Sequence, residues 1–341
     1  MNKFNNKKID KVYLIAEIGS NHNQDKNLAL EMIDMAAKSG ADAVKFQSIR
    51  FDKLYHNEYE TDKFKKWFKK IELNENWYLD LAKQAKNSGV DFISAPTYIE
   101  AVDLLEECDV PLYKVASPQM YGNLDIVRRV AKTGKPLIMS TGYCEYSDMH
   151  NAIKIAELEK NNQITLLHCI SKYPMKAGEA NLNFIQTLQK MTGYPVGFSD
   201  HSLDDHLTLA AVALGACVIE KHVTLSRNMS GPDHNFAMTF EEFGIMSARI
   251  RDVSEALGSG IRDKLDVSEQ KLRKNVELKA FSKYDLKIGS SLNSENLAWS
   301  RFSGEGIPFS HLDLLKNSII RDKKIKAGTP ITWDMINVRQ N

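Results

Sequence analysis

G-F-S-D-H-S (197–202) and V-I-E-K-H-V (218–223) each carry a short apolar segment into a histidine. Both segments read as buried parallel strands, about five residues long and rich in Val, Ile and Phe. Two such strands in succession predict neighbours in one sheet, with His201 and His222 at matching depth where the strands end.

The same pattern recurs upstream. V-Y-L-I-A-E (12–17), A-V-K-F-Q (43–47), D-F-I-S-A (91–95), L-Y-K-V-A-S (112–117), P-L-I-M-S-T (136–141) and I-T-L-L-H-C (164–169) all read as strands. With P-V-G-F-S-D (195–200) and A-C-V-I-E-K (216–221) they make eight. Helical stripes lie between them, and several close at a glycine, as in K-S-G-A-D, N-S-G-V-D, K-T-G-K-P and A-L-G-A-C. Glycine there suits a helix C-cap. Eight strand–helix units predict an α/β fold of the (β/α)8 TIM-barrel type. A doubly wound sheet would bring a G-x-G-x-x-G loop after its first strand, and E-I-G-S-N-H-N-Q stands there instead. Residues 50 to 90 are expected to hold a loop and helices over the barrel mouth, packed through Trp67, Phe68, Trp77 and Tyr78. The character changes near Lys264, so the expected division is barrel 1–263, linker 264–280 and a small C-terminal domain 281–341.

The 341 residues are 43% apolar and 26% charged, with a formal net charge of +1. That balance gives no reason to expect a nucleic-acid or membrane partner. The longest apolar run, Leu209 to Ile219, is eleven residues and too short to span a bilayer. The basic segment M-N-K-F-N-N-K-K-I-D-K lacks a following apolar core of signal-peptide length, so a cytoplasmic location is expected. Cys108, Cys144, Cys169 and Cys217 are far apart, which argues against a disulfide framework or structural zinc and reads as buried small hydrophobes.

In a TIM barrel the chemistry sits at the C-terminal ends of the strands. Those positions hold Glu17, Asn21 and His22; Lys45 and Gln47; Lys114, Ser117 and Gln119; Ser140 and Thr141; His168, Ser171 and Tyr173; Ser199, Asp200 and His201; Glu220, Lys221 and His222; and Asp233 in G-P-D-H. Cations and hydroxyls on one rim suit an anion such as phosphate or carboxylate. His201 and His222, with Glu17 or Asp233 nearby, suit a divalent metal of the Mn, Fe, Co or Zn kind.

The segments A-E-I-G-S-N-H-N, G-A-D-A-V-K-F-Q, Y-K-V-A-S, K-T-G-K-P-L-I-M-S-T-G, L-L-H-C-I-S-K-Y-P, G-F-S-D-H-S, A-L-G-A-C-V-I-E-K-H-V-T and G-P-D-H together resemble the sialic acid synthase family. That family includes N-acetylneuraminate, legionaminate and pseudaminate synthases, and the resemblance runs from about residue 12 to the end. It implies condensation of phosphoenolpyruvate with an N-acylated amino sugar to a nine-carbon 2-keto-3-deoxy acid. It also implies a C-terminal antifreeze-like (SAF, β-clip) domain. By position, it implies that Glu17 stands near the reacting carbonyl and the metal. Lys45, Lys114, Ser117, Ser140, Ser171 and Ser199 fall where the family binds phosphoenolpyruvate. Gln47, Gln119, Tyr173 and Asp233 fall where it contacts the sugar, and His201 and His222 where it holds a metal, usually Mn2+, with Mg2+ or Co2+ as alternatives. Arg301, in W-S-R-F-S-G-E-G-I-P, matches an arginine that acts in the partner subunit of a domain-swapped homodimer. The chain departs from the family in reading A-S-P-Q where many relatives read A-S-G-E, so Gln119 replaces a glutamate, and in reading R-F-S-G rather than R-P-G. Competing readings are a synthase using phosphoenolpyruvate with a phosphorylated aldose, and a non-catalytic carbohydrate-binding protein. The first needs a second cationic cluster and the second has no need of His201 or Glu17.

Overall fold

The computed structural model describes residues 11–56, 58–316 and 318–338. The basic N-terminal segment read in the sequence lies almost wholly outside them. The chain divides into two compact units between Ser259 and Gly260.

The first unit carries β1 (Tyr13–Gly19), β2 (Ala43–Ser48), β3 (Asp91–Pro96) and β4 (Tyr113–Val115). It continues with β5 (Leu137–Ser140), β6 (Ile164–Cys169), β7 (Val196–Asp200) and β8 (Val218–Thr224). Their hydrogen-bonded order is β3-β2-β1-β8-β7-β6-β5-β4, parallel throughout, and β3 lies against β4. The return from β1 to β8 makes this a nearly closed TIM barrel; an open doubly wound sheet would leave those strands apart. The four glycines read as helix stops, Gly40, Gly89, Gly134 and Gly215, all have φ between 71° and 102°, where a side chain is strained.

Alternation along the strands sorts side chains into two cores. Leu14, Ala16, Val44, Phe46, Leu166, Phe198 and Ile219 point outward and pack under the helices. Tyr13, Ile15, Ala43, Ile93, Leu112, Ile138, Leu167 and Val218 point inward and plug the barrel. Between β2 and β3 run helices Phe51–Leu54, Asp62–Phe68 and Tyr78–Ser88. Phe51, Tyr55, Phe64 and Phe68 form their own aromatic cluster, with ring centroids 5.1–6.1 Å apart. Tyr78 and Phe68 are buried as expected, whereas Trp67 remains 46% exposed because it sits on the outer flank of that cluster.

The second unit opens with helix Val267–Val276, which has no buried residue and falls within the segment read as a linker. Two antiparallel ladders follow, Leu278–Ser282 with Leu297–Arg301 and Ser318–Ile320 with Ile336–Val338. They enclose a small core of Ala280, Leu292, Leu297, Ile307, Ile320 and Ile331.

Gly197 shows how tightly the barrel interior is filled. A Cβ there would stand 2.3 Å from the Val218 carbonyl oxygen and 2.6 Å from Leu167 Cδ2. Gly178, by contrast, has open space. Overpacking costs about 1–3 kcal/mol, and each kcal/mol moves the midpoint of a unit this size by about 2–4 °C. Gly197→Ala is therefore expected to lower the thermal midpoint by about 3–10 °C in a fluorescence melt, with Gly178→Ala within about 1 °C of the parent.

Candidate active site

Moving two residues along each strand from the apolar plug changes the chemistry. Ile15 gives way to Glu17, Ala43 to Lys45, Leu112 to Lys114, Ile138 to Ser140, Leu167 to Cys169, Gly197 to Ser199 and Val218 to Glu220. The period of two keeps all of these pointing inward, so they form a ring above the plug. Two further residues on come Gln47, Ser171, His201 and His222. Both tiers line one cavity of about 470 Å³.

The lower tier is a buried charge cluster. Lys45 Nζ lies 2.8 Å from Glu17 Oε2 and 3.8 Å from Glu220 Oε2, and Lys114 Nζ lies 3.5 Å from the same Glu220 oxygen. Lys114 donates to Ser140 Oγ at 2.7 Å, and Ser199 donates to Glu220 Oε1 at 2.9 Å. Burial raises the Glu17 carboxyl above its usual range, against the pull of Lys45 and with the help of Glu220. Burial also acts on Glu220, but Lys114, Lys45 and the Ser199 hydroxyl outweigh it and hold that carboxyl low. Burial lowers the Lys114 ammonium, whereas at Lys45 the two glutamates overcome burial and raise it.

Glu17 is also oriented. Gln47 donates to its Oε1 at 2.7 Å. A Cβ on Gly19 (φ 53°) would stand 3.2–3.4 Å from Glu17 Oε1, Asp233 Oδ2 and Gln47 Nε2, so these three side chains converge. Asp233 is brought there by G-P-D-H, whose His234 bonds Thr224 Oγ1 at 2.7 Å and Asn23 Oδ1 at 3.2 Å. Gly142 serves the opposite side: a Cβ there would stand 2.3 Å from Ser171 Oγ, 2.8 Å from Ser117 Oγ and 3.2 Å from Cys169 Sγ. Only glycine leaves those groups facing the cavity.

His201 and His222 have ring centroids 5.4 Å apart, and Tyr173 covers His201 at 4.2 Å. His201 Nδ1 bonds the Ile170 carbonyl at 2.8 Å, which fixes the proton on Nδ1 and leaves Nε2 with a lone pair. His222 Nδ1 is buried without a hydrogen bond, 3.6 Å from Asp233 Oδ2. Burial holds both imidazoles neutral, and at His222 His201 adds to the effect. Among the described residues no group of three or more His, Cys, Asp or Glu side chains forms a ready metal cage. Two neutral imidazoles with an unpaired ring nitrogen do fit a divalent ion that shares its other positions with substrate and water.

Of the residues singled out in the sequence, Glu17, Lys45, Gln47, Lys114, Ser117, Gln119, Ser140, Ser171, Tyr173, Ser199, His201 and His222 line the cavity. Asp233 stands beside it. Arg301 is exposed on the ladder Leu297–Arg301 of the second unit. Several rim residues face elsewhere. Asp200, Lys221, Thr141 and His168 fall on the outward phase, where His168 bonds the Ala180 carbonyl and Thr141 the Leu167 carbonyl. Asn21 ties its loop to the Val223 carbonyl, and His22 packs against Trp77. Glu220, the hub of the charge cluster, was legible only as one more rim acid, and counting by twos from the plug would have placed it. Cys169 also belongs to the lower tier, although it reads as a plain buried hydrophobe. In the apolar wall of Ile49, Leu54, Tyr55 and Phe68, Phe68 was expected as a packing residue over the barrel mouth, whereas Ile49, Leu54 and Tyr55 had no sequence signal.

Comparison with known proteins agrees with this geometry. Residues 32–262 match the family model described as the NeuB family. The chain is 39% identical over 328 residues to an uncharacterised protein of Methanocaldococcus jannaschii, covering 94% of each chain. It is 38% identical over 304 residues to the N,N'-diacetyllegionaminic acid synthase of Campylobacter jejuni, covering 85% of this chain and 90% of that one. Among solved structures it is similar to the N-acetylneuraminic acid synthetase of Leptospira borgpetersenii, with a TM-score of 0.71 and 33% identity over 77% of this chain and 90% of that one. The chain belongs to the NeuB family of sialic acid synthases.

Proposed function

We propose that this protein condenses phosphoenolpyruvate with an N-acylated amino sugar to give a nine-carbon 2-keto-3-deoxy acid and phosphate. The observation that carries this reading is the two-tier cavity: Lys45, Lys114, Glu17 and serine hydroxyls below, two neutral imidazoles above. A phosphate and a carboxylate on one three-carbon unit need several cationic and hydroxyl donors in a fixed arrangement. Lys45, Lys114, Ser117, Ser140, Ser171 and Ser199 supply them. His201 and His222 would hold a divalent ion, Mn2+ by family precedent, whose chemistry is to polarise the sugar's aldehyde oxygen.

The chain's own groups then hold the reactants in register. Carbon 3 of phosphoenolpyruvate forms the new bond to the aldehyde carbon, whose oxygen becomes an alkoxide and takes up a proton. Water adds at carbon 2 and loses a proton, and the tetrahedral centre collapses to the ketone as the carbon–oxygen bond to phosphate breaks and the carbon-2 hydroxyl proton passes to the departing phosphate. Glu17, raised by burial and oriented by Gln47, is suited to move a proton at the aldehyde oxygen or at the water. Tyr173, Gln47 and Asp233 would meet the sugar. Gln119 is 6% exposed, lines the cavity, and its Oε1 has no hydrogen-bond partner. A buried unpaired amide oxygen calls for a donor on the acceptor, such as an acylamido N–H. We further propose that the second unit is an antifreeze-like domain and that its Arg301 completes the site of a second copy in a homodimer.

The direct test is acceptor-dependent phosphate release from phosphoenolpyruvate across a panel of N-acetylated and di-N-acetylated hexoses, with mass detection of the keto acid. Release with one sugar, abolished by EDTA and restored by Mn2+, is expected. A folded protein that binds sugar yet releases no phosphate would make it a carbohydrate-binding protein instead.

Exchanging Gln119 for glutamate removes a donor and adds a charge. Hydrogen bonds to such groups are worth about 1.5–3 kcal/mol, so Gln119→Glu should shift the ratio of kcat/KM between mono- and di-N-acetylated acceptors by about tenfold or more. The KM for phosphoenolpyruvate should stay within about twofold, because the change leaves the lysines untouched. Subunit complementation tests Arg301. Glu17→Gln and Arg301→Ala proteins, each inactive alone, should recover roughly a quarter of parental activity when unfolded and refolded together in equal amounts. Half of those dimers are hybrids with one intact site. A mixture that stays inactive would place Arg301 outside the partner's site.

A further inference from the structure

Asp200 and Lys221 are register partners on β7 and β8, each one residue before a cavity histidine. Each is 1% exposed, and neither lines the cavity, because they occupy the outward phase behind it. Lys221 Nζ lies 2.7 Å from Asp200 Oδ2 and also donates to the Ser202 carbonyl at 2.6 Å and the Asp204 carbonyl at 2.9 Å. Asp200 in turn accepts from the Ser202 backbone N–H at 2.8 Å, the Ser202 hydroxyl at 3.0 Å and the Thr208 hydroxyl at 2.9 Å.

We infer that the Asp200–Lys221 pair is a positioning latch that holds His201 against His222, and thereby sets the protein's metal affinity. This rests on the proposed role of the two imidazoles. A buried ion pair gains little stability over an apolar pair of the same volume. Joining the strands to helix His206–Ala213 therefore needs no charge there. What directional donors add is a fixed backbone, and here the two carbonyls that Lys221 holds belong to the loop that leaves β7 through His201. His222 does not depend on that loop, since its backbone is paired to Glu17 on β1. His201 is held by the Ile170 carbonyl and the Tyr173 ring on its imidazole and by the Met175 N–H on its own carbonyl, all from the neighbouring loop and none from β7 or β8. Lys221 thus governs how far His201 stands from His222, while the lysine and serine tier keeps its own contacts.

The test uses the full-length protein as Lys221→Met and as the charge-neutral double variant Asp200→Asn with Lys221→Met. Mn2+ binding is followed by calorimetry or by the electron paramagnetic resonance signal of the free ion, beside a thermal melt. Groups one shell behind a metal ligand typically alter affinity by about 10–100-fold, and a rise of that size in the Mn2+ Kd is expected in the folded variants. Saturating Mn2+ should then bring turnover back to within about threefold of the parent, as mass action requires for a defect in metal binding alone. If neither variant folds, Ser202→Ala, which removes one hydroxyl of the network, should raise the Kd about 3–10-fold. The inference is overturned if the folded variants bind Mn2+ within about twofold of the parent, or if saturating Mn2+ leaves turnover low, which a general loss of structure would produce. A parent protein without a saturable Mn2+ site would sink the metal reading itself, and the latch with it.

Discussion

Two lysines and two glutamates share the floor of the cavity with almost no water to solvate them, and the site above depends on their mutual neutralisation. Each of Glu17, Lys45, Lys114 and Glu220 is at most 5% exposed. A single charge at that depth would lose several kcal/mol of hydration, and an unpaired one would titrate or distort its surroundings. The cluster avoids this by arrangement: Lys45 sits between both carboxylates, and Glu220 faces both ammonium groups. An arriving anion competes for the same lysines, so the site is ready for negative charge without carrying a naked positive field when empty. Two carboxylates near the lysines also select for groups that donate as well as accept. That condition favours water, hydroxyls and amide groups beside any anion the lysines hold.

The balance is possible because of alternation. A one-residue shift along β1, β2, β4 or β8 would turn one of the four groups toward the helices and away from its ion-pair partners. The apolar plug below is part of the same constraint. Ile15, Ile93, Leu112, Ile138, Leu167 and Val218 close the barrel beneath the charges and keep water from entering from that end. Gly197 fits the same logic: on the strand next to Val218 there is no room for even a methyl group at plug level.

This explains what the sequence makes legible. Eight short apolar runs separated by helix-length spacers are strong signals, and the closed strand order follows from them. The inward polar residues were also readable where they stand inside recognisable segments, as with Lys45 in A-V-K-F-Q and Ser199 in G-F-S-D-H. Rim position alone misled, because it does not separate the two faces of a strand. Asp200 and Lys221 look like site residues by location and are not, since each is one residue out of phase with the histidine beside it. Trp67 misled in another way: an aromatic residue in a short surface helix has no period long enough to fix its face. Ile49, Leu54 and Tyr55, which join Phe68 in the cavity wall, come from a stretch whose path is set by tertiary contacts, such as Arg50 with Glu75 and the Phe51 N–H with Glu72, which no local pattern announces.

The two faces of β7 and β8 divide the work. Inward lie Ser199, Glu220, His201 and His222; outward, Asp200 and Lys221 tie down the loop that leaves β7 through His201. Glu17, Lys45, Lys114, Ser199 and Glu220 stand within the ladder, whereas His201 stands one residue beyond the end of its strand. On β8 the ladder reaches the cavity histidine, since β1 pairs with it as far as His222. For β7 it does not: its partners with β8 end at Asp200, one residue short of His201. The buried charge pair therefore sits where backbone pairing gives out, replacing ladder bonds with side-chain donors to the Ser202 and Asp204 carbonyls. Its expense in desolvation is easier to understand as a continuation of the sheet by other means than as a contribution to overall stability.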